Sequence, residues 1–156
     1  MEFMPATRRF ICVVAFLSTV AWANQAHAQL SAGSTWVRTD AQGKGITMTV
    51  AACCNGGLRL VYQIPSMGNQ PPATMAVDSP MNGTEVPVLV GGKPSGEMMA
   101  LTRVDDRHYR AVMNLSGKPF GMSNGTVSAD GKTMTVETVT QGGGQAMKVI
   151  ETWVRK

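Results

Sequence analysis

Aromatic residues, charged residues and histidines are all scarce in this sequence, and each scarcity argues against a class of function. Aromatic side chains make up 6% of the 156 residues and charged side chains 15%, and two histidines occur. The basic residues are scattered singly, so the formal net charge of +4 forms no basic patch of the kind that binds nucleic acid. One histidine beyond the N-terminal segment and two adjacent cysteines do not supply the four ligands of a structural zinc site. We therefore expect no nucleic-acid partner, no metal and no cofactor.

The first 28 residues have the pattern of a secretory signal peptide. Arg8 and Arg9 precede an apolar run from residue 10 to residue 23, and Ala26-His27-Ala28 is a small-x-small cleavage motif. An uncleaved anchor is the alternative, but the run is shorter than the about 20 apolar residues that a membrane helix needs. The pattern predicts a cleaved leader at 1–28, a single mature domain at 29–156 without a membrane span, and a periplasmic or secreted location.

The mature sequence alternates apolar and polar residues with a period of two, which is typical of β-strands with one buried face. The alternation is clearest at residues 46–50, 58–64, 85–90, 108–115 and 133–137. Turn signals separate these stretches at short intervals, among them Asn55-Gly56, Asn82-Gly83, Asp130-Gly131 and the glycines at 142–144. Asn124-Gly125 is interpreted as a turn too, and residues 65–72 as a long loop. No helix is predicted.

About nine or ten such strands predict an all-β, antiparallel up-and-down meander that closes into a barrel, since closure removes exposed sheet edges. The tetrapeptide Thr-Trp-Val-Arg occurs both at 35–38 and at 152–155. Closure would pair the first strand with the last, so we expect Trp36 and Trp153 to lie side by side at the seam and plug one end.

Several motifs resemble those of calycins, the class of lipocalin and fatty-acid-binding barrels. Thr35-Trp36 is similar to their Gly-x-Trp motif, with Ser34 in place of the glycine, and residues 100–107 and 127–136 resemble stretches of small secreted bacterial lipocalin-like proteins. The resemblance covers nearly the whole mature chain. It implies a lipocalin-like barrel in which Arg155 crosses Trp36 in a cation–π contact.

The same resemblance argues against a fatty-acid clamp. Intracellular fatty-acid carriers place a ligand-binding arginine two residues before the position of Trp153, where this chain has Glu151. A buried carboxylate there would repel an anionic ligand. The helical lid of those carriers is missing as well, because only a short segment separates the first two predicted strands.

Cys53 and Cys54 are adjacent and are the only cysteines of the mature chain. In an oxidising compartment they can form a vicinal disulfide, link to another chain or remain two thiols. An incidental pair at the turn that begins with Asn55 is favoured over a redox or metal role. The high methionine content is best explained by core packing. The alternative is a copper(I) site formed by Met48, Met98, Met99, Met134 and the two thiols.

Catalysis has little support in the sequence, and we expect a protein that is not an enzyme. His108 follows Asp105-Asp106, so a weak hypothesis makes it a general base of a hydrolase or isomerase. An exposed position at the start of a strand is the simpler interpretation of this residue.

The leading prediction is a barrel that binds one small apolar ligand in its interior. The residues expected to face that ligand are Leu60, Tyr62, Val88, Leu101, Arg103, Tyr109, Met113, Met134 and Val136. The alternative is a barrel filled by its own side chains that acts as an interaction or inhibitor module through the 65–72 loop and the Cys53-Cys54 turn.

Overall fold

The computed structural model describes residues 29–142 and 145–156, and within those residues the chain forms only strands, turns and loops. The predicted signal peptide at 1–28 lies outside the described residues, as do Gly143 and Gly144 of the predicted glycine turn. In the described part of the chain no helix is long and apolar enough to cross a membrane.

Ten antiparallel strands form one closed barrel in simple chain order. They are β1 (Thr35–Arg38), β2 (Thr47–Cys53), β3 (Gly57–Ile64), β4 (Ala73–Ser79), β5 (Asn82–Val90), β6 (Lys93–Arg103), β7 (His108–Leu115), β8 (Lys118–Val127), β9 (Thr133–Gly142) and β10 (Gln145–Arg155). Each strand pairs with the next, and β1 also pairs with β10. The predicted all-β, up-and-down closed barrel is therefore confirmed.

The repeated tetrapeptide pairs with itself at the seam of the barrel. Trp36 lies opposite Arg155, and Arg38 lies opposite Trp153. Because cross-strand partners share a face of the sheet, each tryptophan has an arginine of the other copy beside it on the inner face. The two indoles are thus diagonal neighbours rather than direct partners.

One end of the barrel is packed with side chains and is called the closed end here. It carries the turns that follow β2, β4, β6 and β8, together with the segment that precedes β1. The backbone N–H of Leu30 donates a hydrogen bond of 2.8 Å to the Tyr109 hydroxyl, which holds that segment across the end. Buried apolar residues at this end include Leu30, Trp36, Val50, Leu58, Val77, Met81 and Val127.

The opposite end, called the open end here, carries the loops at residues 39–46 and 65–72 and the turns after β5 and β7. Apolar side chains are exposed there rather than packed: Val90, Leu115 and Met147 are 45%, 46% and 61% exposed. The 65–72 loop has the same length as the 39–46 loop, and a β-bridge joins Met67 to Gln70 within it. The structure thus has a long loop at residues 65–72, as the sequence predicted.

Of the three Asn-Gly pairs that were interpreted as turns, Asn55-Gly56 lies in the turn after β2, whereas the other two belong to strands. Asn82 and Gly83 begin β5, directly after a turn at Met81 whose φ is +61°. Asn124 and Gly125 lie inside β8, where Gly125 pairs with Tyr109 on one side and Val136 on the other. The turn interpretation was wrong at these positions because a glycine in a strand also serves where bulky neighbours approach closely.

Candidate functional site

An internal cavity of about 310 Å³ occupies the barrel between the packed closed end and the open end. This volume lies at the lower limit of typical small-molecule sites, which measure roughly 300–1,000 Å³. The wall is mainly apolar, and its apolar members are Leu30, Ile46, Met48, Leu60, Tyr62, Ile64, Met75, Met99, Leu101, Tyr109, Ala111, Met113, Met134, Val136 and Trp153.

Most of the residues that the sequence predicted to face a ligand line the cavity, but two do not. Seven of them line the cavity: Leu60, Tyr62, Leu101, Tyr109, Met113, Met134 and Val136. Val88 is 1% exposed and belongs to the packed core rather than to the cavity wall. Arg103 pairs with Tyr109 at the end of β6 but is exposed at the closed end and does not line the cavity. The polar anchor expected at Arg103 is therefore not part of this wall.

Five methionines contribute to the wall, namely Met48, Met75, Met99, Met113 and Met134. A methionine side chain has three rotatable bonds and a polarisable sulfur, so it adapts to molecules of different shape. A wall of this composition favours an apolar ligand and can adapt to ligands of different shape.

The polar residues of the wall are Arg38, Arg110, Ser123, Thr138 and Glu151. Arg110 is exposed and donates to Met122 Sδ, whereas Arg38 and Glu151 form, with Asp40 behind them, a cluster of three charged side chains that we call the seam cluster. Arg38 donates two hydrogen bonds to Asp40, from Nε to Oδ2 at 2.7 Å and from Nη2 to Oδ1 at 3.0 Å. Its Nη1 donates to Glu151 Oε1 at 3.0 Å. Arg38 and Glu151 face the cavity, and their side chains are 11% and 22% exposed.

Two aromatic rings adjoin the Glu151 carboxylate. The Trp153 indole donates a hydrogen bond from Nε1 to Glu151 Oε2 at 3.0 Å. The Tyr62 ring meets the Trp153 ring edge to face, with 6.0 Å between the ring centroids and 68° between the planes. Both rings line the cavity, so the carboxylate lies beside the indole N–H edge at one side of a mainly apolar space.

The pKa values at this cluster follow from burial and from the paired charges. The hydrogen bond from Arg38 lowers the pKa of Asp40 to about 2, and the backbone N–H of Thr152 assists. Burial opposes the charge of Arg38, but Asp40 and Glu151 outweigh it and raise the Arg38 pKa. Burial and then the negative charge of Glu151 raise the pKa of Tyr62 well above its ordinary value. At neutral pH Asp40 is therefore ionised, Arg38 is protonated and Tyr62 keeps its proton.

Gly43 in the loop between β1 and β2 makes room for Arg38. A Cβ atom at this position would overlap the Arg38 guanidinium and Cδ. The backbone N–H of Gly43 also donates to Asp40 Oδ1 at 3.2 Å. The loop thus covers the arginine closely and fixes its orientation toward Glu151.

At the closed end, Arg155 lies over Trp36, with its guanidinium carbon 4.8 Å from the ring centroid. This is the cation–π geometry that the calycin resemblance implies. Trp36 is fully buried, and its Nε1 donates to Ser34 Oγ at 3.0 Å. Arg155 also donates from Nη2 to the Gln29 carbonyl, so it ties the N-terminal segment to the last strand.

Cys53 and Cys54 form a vicinal disulfide in the turn after β2, away from the cavity. Asp78 places a carboxylate oxygen within 4.8 Å of both sulfur atoms, so these three residues have the spacing of a metal site. Metal binding requires thiolates, however, and the disulfide removes them. The pair therefore acts here as a local brace of the β2–β3 turn.

His108 lies at the start of β7 and does not line the cavity. Its Nδ1 is 2.8 Å from each carboxylate oxygen of Asp105, and both side chains are about half exposed. Asp105 does not line the cavity either.

The sequence interpretation missed Arg38, Ile46, Met48, Ile64, Met75 and Met99 as members of the wall. The signal for Arg38 was present, because a residue two positions after the inward Trp36 faces inward as well. Its partner Glu151 was noted as an inward carboxylate, but the ion pair depends on the register of β1 against β10.

Comparisons with protein-family models, with characterised proteins and with solved structures gave no match to this chain. The closed ten-stranded barrel and its interior are thus the features from which a function has to be inferred.

Proposed function

We propose that this protein binds one small, largely apolar molecule in the interior of its barrel and is not an enzyme. The observation that carries the proposal is the cavity of about 310 Å³ with its methionine-rich wall. A barrel filled by its own side chains would serve only as a scaffold, so the cavity favours carriage over the interaction-module alternative. The candidate loops of that alternative also lie at opposite ends of the barrel, which argues against one joint surface.

The open end is the proposed route of entry. Met67, Val90, Leu115 and Met147 expose apolar surface there, whereas the closed end is covered by the segment containing Leu30. An apolar molecule that leaves water meets compatible side chains first at this end.

A lipocalin-like relationship and export are further parts of the proposal. The closed meander and the contact of Arg155 with Trp36 support kinship with calycins. A chain that begins at Gln29 would retain the contacts of Leu30 and Arg155 described above, which is compatible with cleavage after Ala28. The mass of the protein recovered from the periplasm or medium of an expressing cell tests this step, and a full-length mass in every fraction would exclude cleavage.

The ligand-binding proposal is tested with a neutral apolar fluorescent probe, N-phenyl-1-naphthylamine, titrated into the purified protein. We expect saturable binding with about one probe per barrel. Gly125 offers a way to fill the cavity, because it lies in the wall and a Cβ there would meet Val136 and Tyr109 only at 3.7 and 3.8 Å. Gly125→Leu should therefore abolish probe binding while the protein stays folded.

The matched control is Asn124→Leu, which adds a leucine at the adjacent exposed position of β8. It should leave probe binding intact. Unchanged binding in Gly125→Leu would place the probe outside the barrel, and no saturable binding of the probe to the unmodified protein would overturn the proposed function.

A further inference from the structure

The charges of the seam cluster decide which head group the cavity accepts. Arg38 is the one cation of the cluster, and each of its nitrogen atoms Nε, Nη1 and Nη2 already donates to a carboxylate oxygen. Asp40 and Glu151 together carry two negative charges against that one positive charge. The cluster therefore has a net negative charge, although Arg38 belongs to it. Arg110, the second arginine among the lining residues, is exposed and donates to Met122 Sδ instead.

The hydrogen bonds within the cluster also favour a cationic head group. Asp40 is held by Arg38 and by the backbone N–H groups of Gln42, Gly43 and Thr152. Glu151 is the carboxylate of the cluster that lines the cavity, and each of its oxygens accepts one hydrogen bond, from Arg38 and from Trp153. A carboxylate oxygen has two lone pairs, so each can accept a second donor from inside the cavity.

The aromatic neighbours add to this preference. Tyr62 and Trp153 both line the cavity on the Glu151 side, and a cation that lies over the face of an aromatic ring is attracted by its quadrupole. A carboxylate beside two aromatic rings is chemically suited to an ammonium group and unsuited to another carboxylate. The raised pKa of Tyr62, to which the charge of Glu151 contributes, is consistent with a negative potential at this wall.

We propose that the ligand of the cavity carries a protonated amine, bound by Glu151 beside Tyr62 and Trp153, with its apolar part among the wall methionines. This inference rests on the proposed function and names its ligand class: a small apolar amine. Fatty acids of the same size are disfavoured, because their carboxylate would meet Glu151.

A matched series of hexylamine, hexan-1-ol and hexanoate tests the proposal by isothermal titration calorimetry and by displacement of N-phenyl-1-naphthylamine. The three compounds share one alkyl chain and differ in the charge of the head group at pH about 7. We expect hexylamine to bind about tenfold more tightly than hexanol, with hexanoate weakest, because a desolvated cation–π and carboxylate contact is worth more than an exposed one.

Glu151→Gln removes the charge and keeps the side chain's shape. It should lower the affinity for hexylamine about tenfold and leave hexanol unchanged. The control is Glu137→Gln, which removes the same charge from an exposed pair with Lys148 outside the cavity and should leave all three affinities unchanged. The comparison of the three compounds uses the unmodified protein, so it does not require that either variant folds.

The outcomes separate the two proposals. Binding of all three compounds with equal affinity, or tighter binding of hexanoate, would overturn the amine inference and leave interior binding in place. If neither the probe nor any compound binds, the proposed function itself fails.

Discussion

Arg38 and Glu151 are 113 residues apart in sequence, yet Arg38 Nη1 lies 3.0 Å from Glu151 Oε1 inside the barrel. This ion pair joins the first strand to the last and forms part of the cavity wall. Stability at the seam and the electrostatics of the interior therefore depend on the same side chains. A change at the seam cluster should affect both.

Gly43→Ala tests the close cover over Arg38. The added Cβ would overlap the guanidinium, so the loop or the arginine must shift, and we expect the free energy of unfolding to fall by about 1–3 kcal/mol. Chemical denaturation measures the effect. Gly125→Ala is the matched control, because its Cβ would make ordinary contacts, and its stability should stay equal or rise. If Gly43→Ala and Gly125→Ala have equal stability, the loop does not pack closely against Arg38.

Asp40→Asn tests the contribution of the lowered pKa to stability. The folded-state pKa of about 2 lies below the ordinary value of 3.8, so ionised Asp40 stabilises the fold above pH 3.8. That contribution is lost as the pH falls toward 2, and its size is on the order of 2 kcal/mol. The variant should lose this amount at neutral pH and show a flatter pH dependence of unfolding in the acid range. An unchanged acid profile would contradict the assignment, and Glu137→Gln, in an exposed pair, serves as the control.

Arg155→Lys tests the contact with Trp36. Lysine cannot present a planar group over the indole while donating to the Gln29 carbonyl, so we expect a loss of about 1 kcal/mol in unfolding free energy. Arg59→Lys makes the same replacement in an exposed pair with Asp78 and should change stability little. A larger loss at Arg59 than at Arg155 would argue against a stabilising role of the contact.

The double variant Cys53→Ser, Cys54→Ser tests the role of the vicinal disulfide. A crosslink between adjacent residues restricts the unfolded chain very little, so its removal should cost about 1 kcal/mol or less. Probe binding should remain, since neither cysteine lines the cavity. A loss of several kcal/mol in thermal or chemical unfolding would assign the pair a larger structural role.

Much of the fold could be predicted from local alternation, because a strand with one buried face has a period of two. Leu60 and Tyr62 in β3, and Tyr109 and Met113 in β7, line the cavity as their alternation predicts. The Asn-Gly pair at 124–125 was interpreted as a turn for an equally local reason, since Asn-Gly is the strongest hairpin signal. Tertiary packing against Tyr109 and Val136 places it in a strand instead.

The charged wall could be predicted only in part. The inward direction of Arg38 follows from Trp36 two residues earlier, but its pairing with Glu151 requires the register between two strands at opposite ends of the chain. A shift of one residue between the two strands would place these side chains on opposite faces of the sheet. Val88 was predicted to face the ligand, but it lies in the packed core beside a register shift in β5. Alternation alone could not predict that shift.

The central claim, that a small molecule enters the barrel interior, is tested most directly by ¹³C-methyl NMR of the methionines during titration with N-phenyl-1-naphthylamine. Met48, Met75, Met99, Met113 and Met134 line the cavity, whereas Met98 and Met122 occupy the alternate positions of β6 and β8 that face outward. We predict that the signals of the five cavity methionines shift in a saturable way and that those of Met98 and Met122 do not. Shifts confined to the outward methionines, or none at all, would contradict the account.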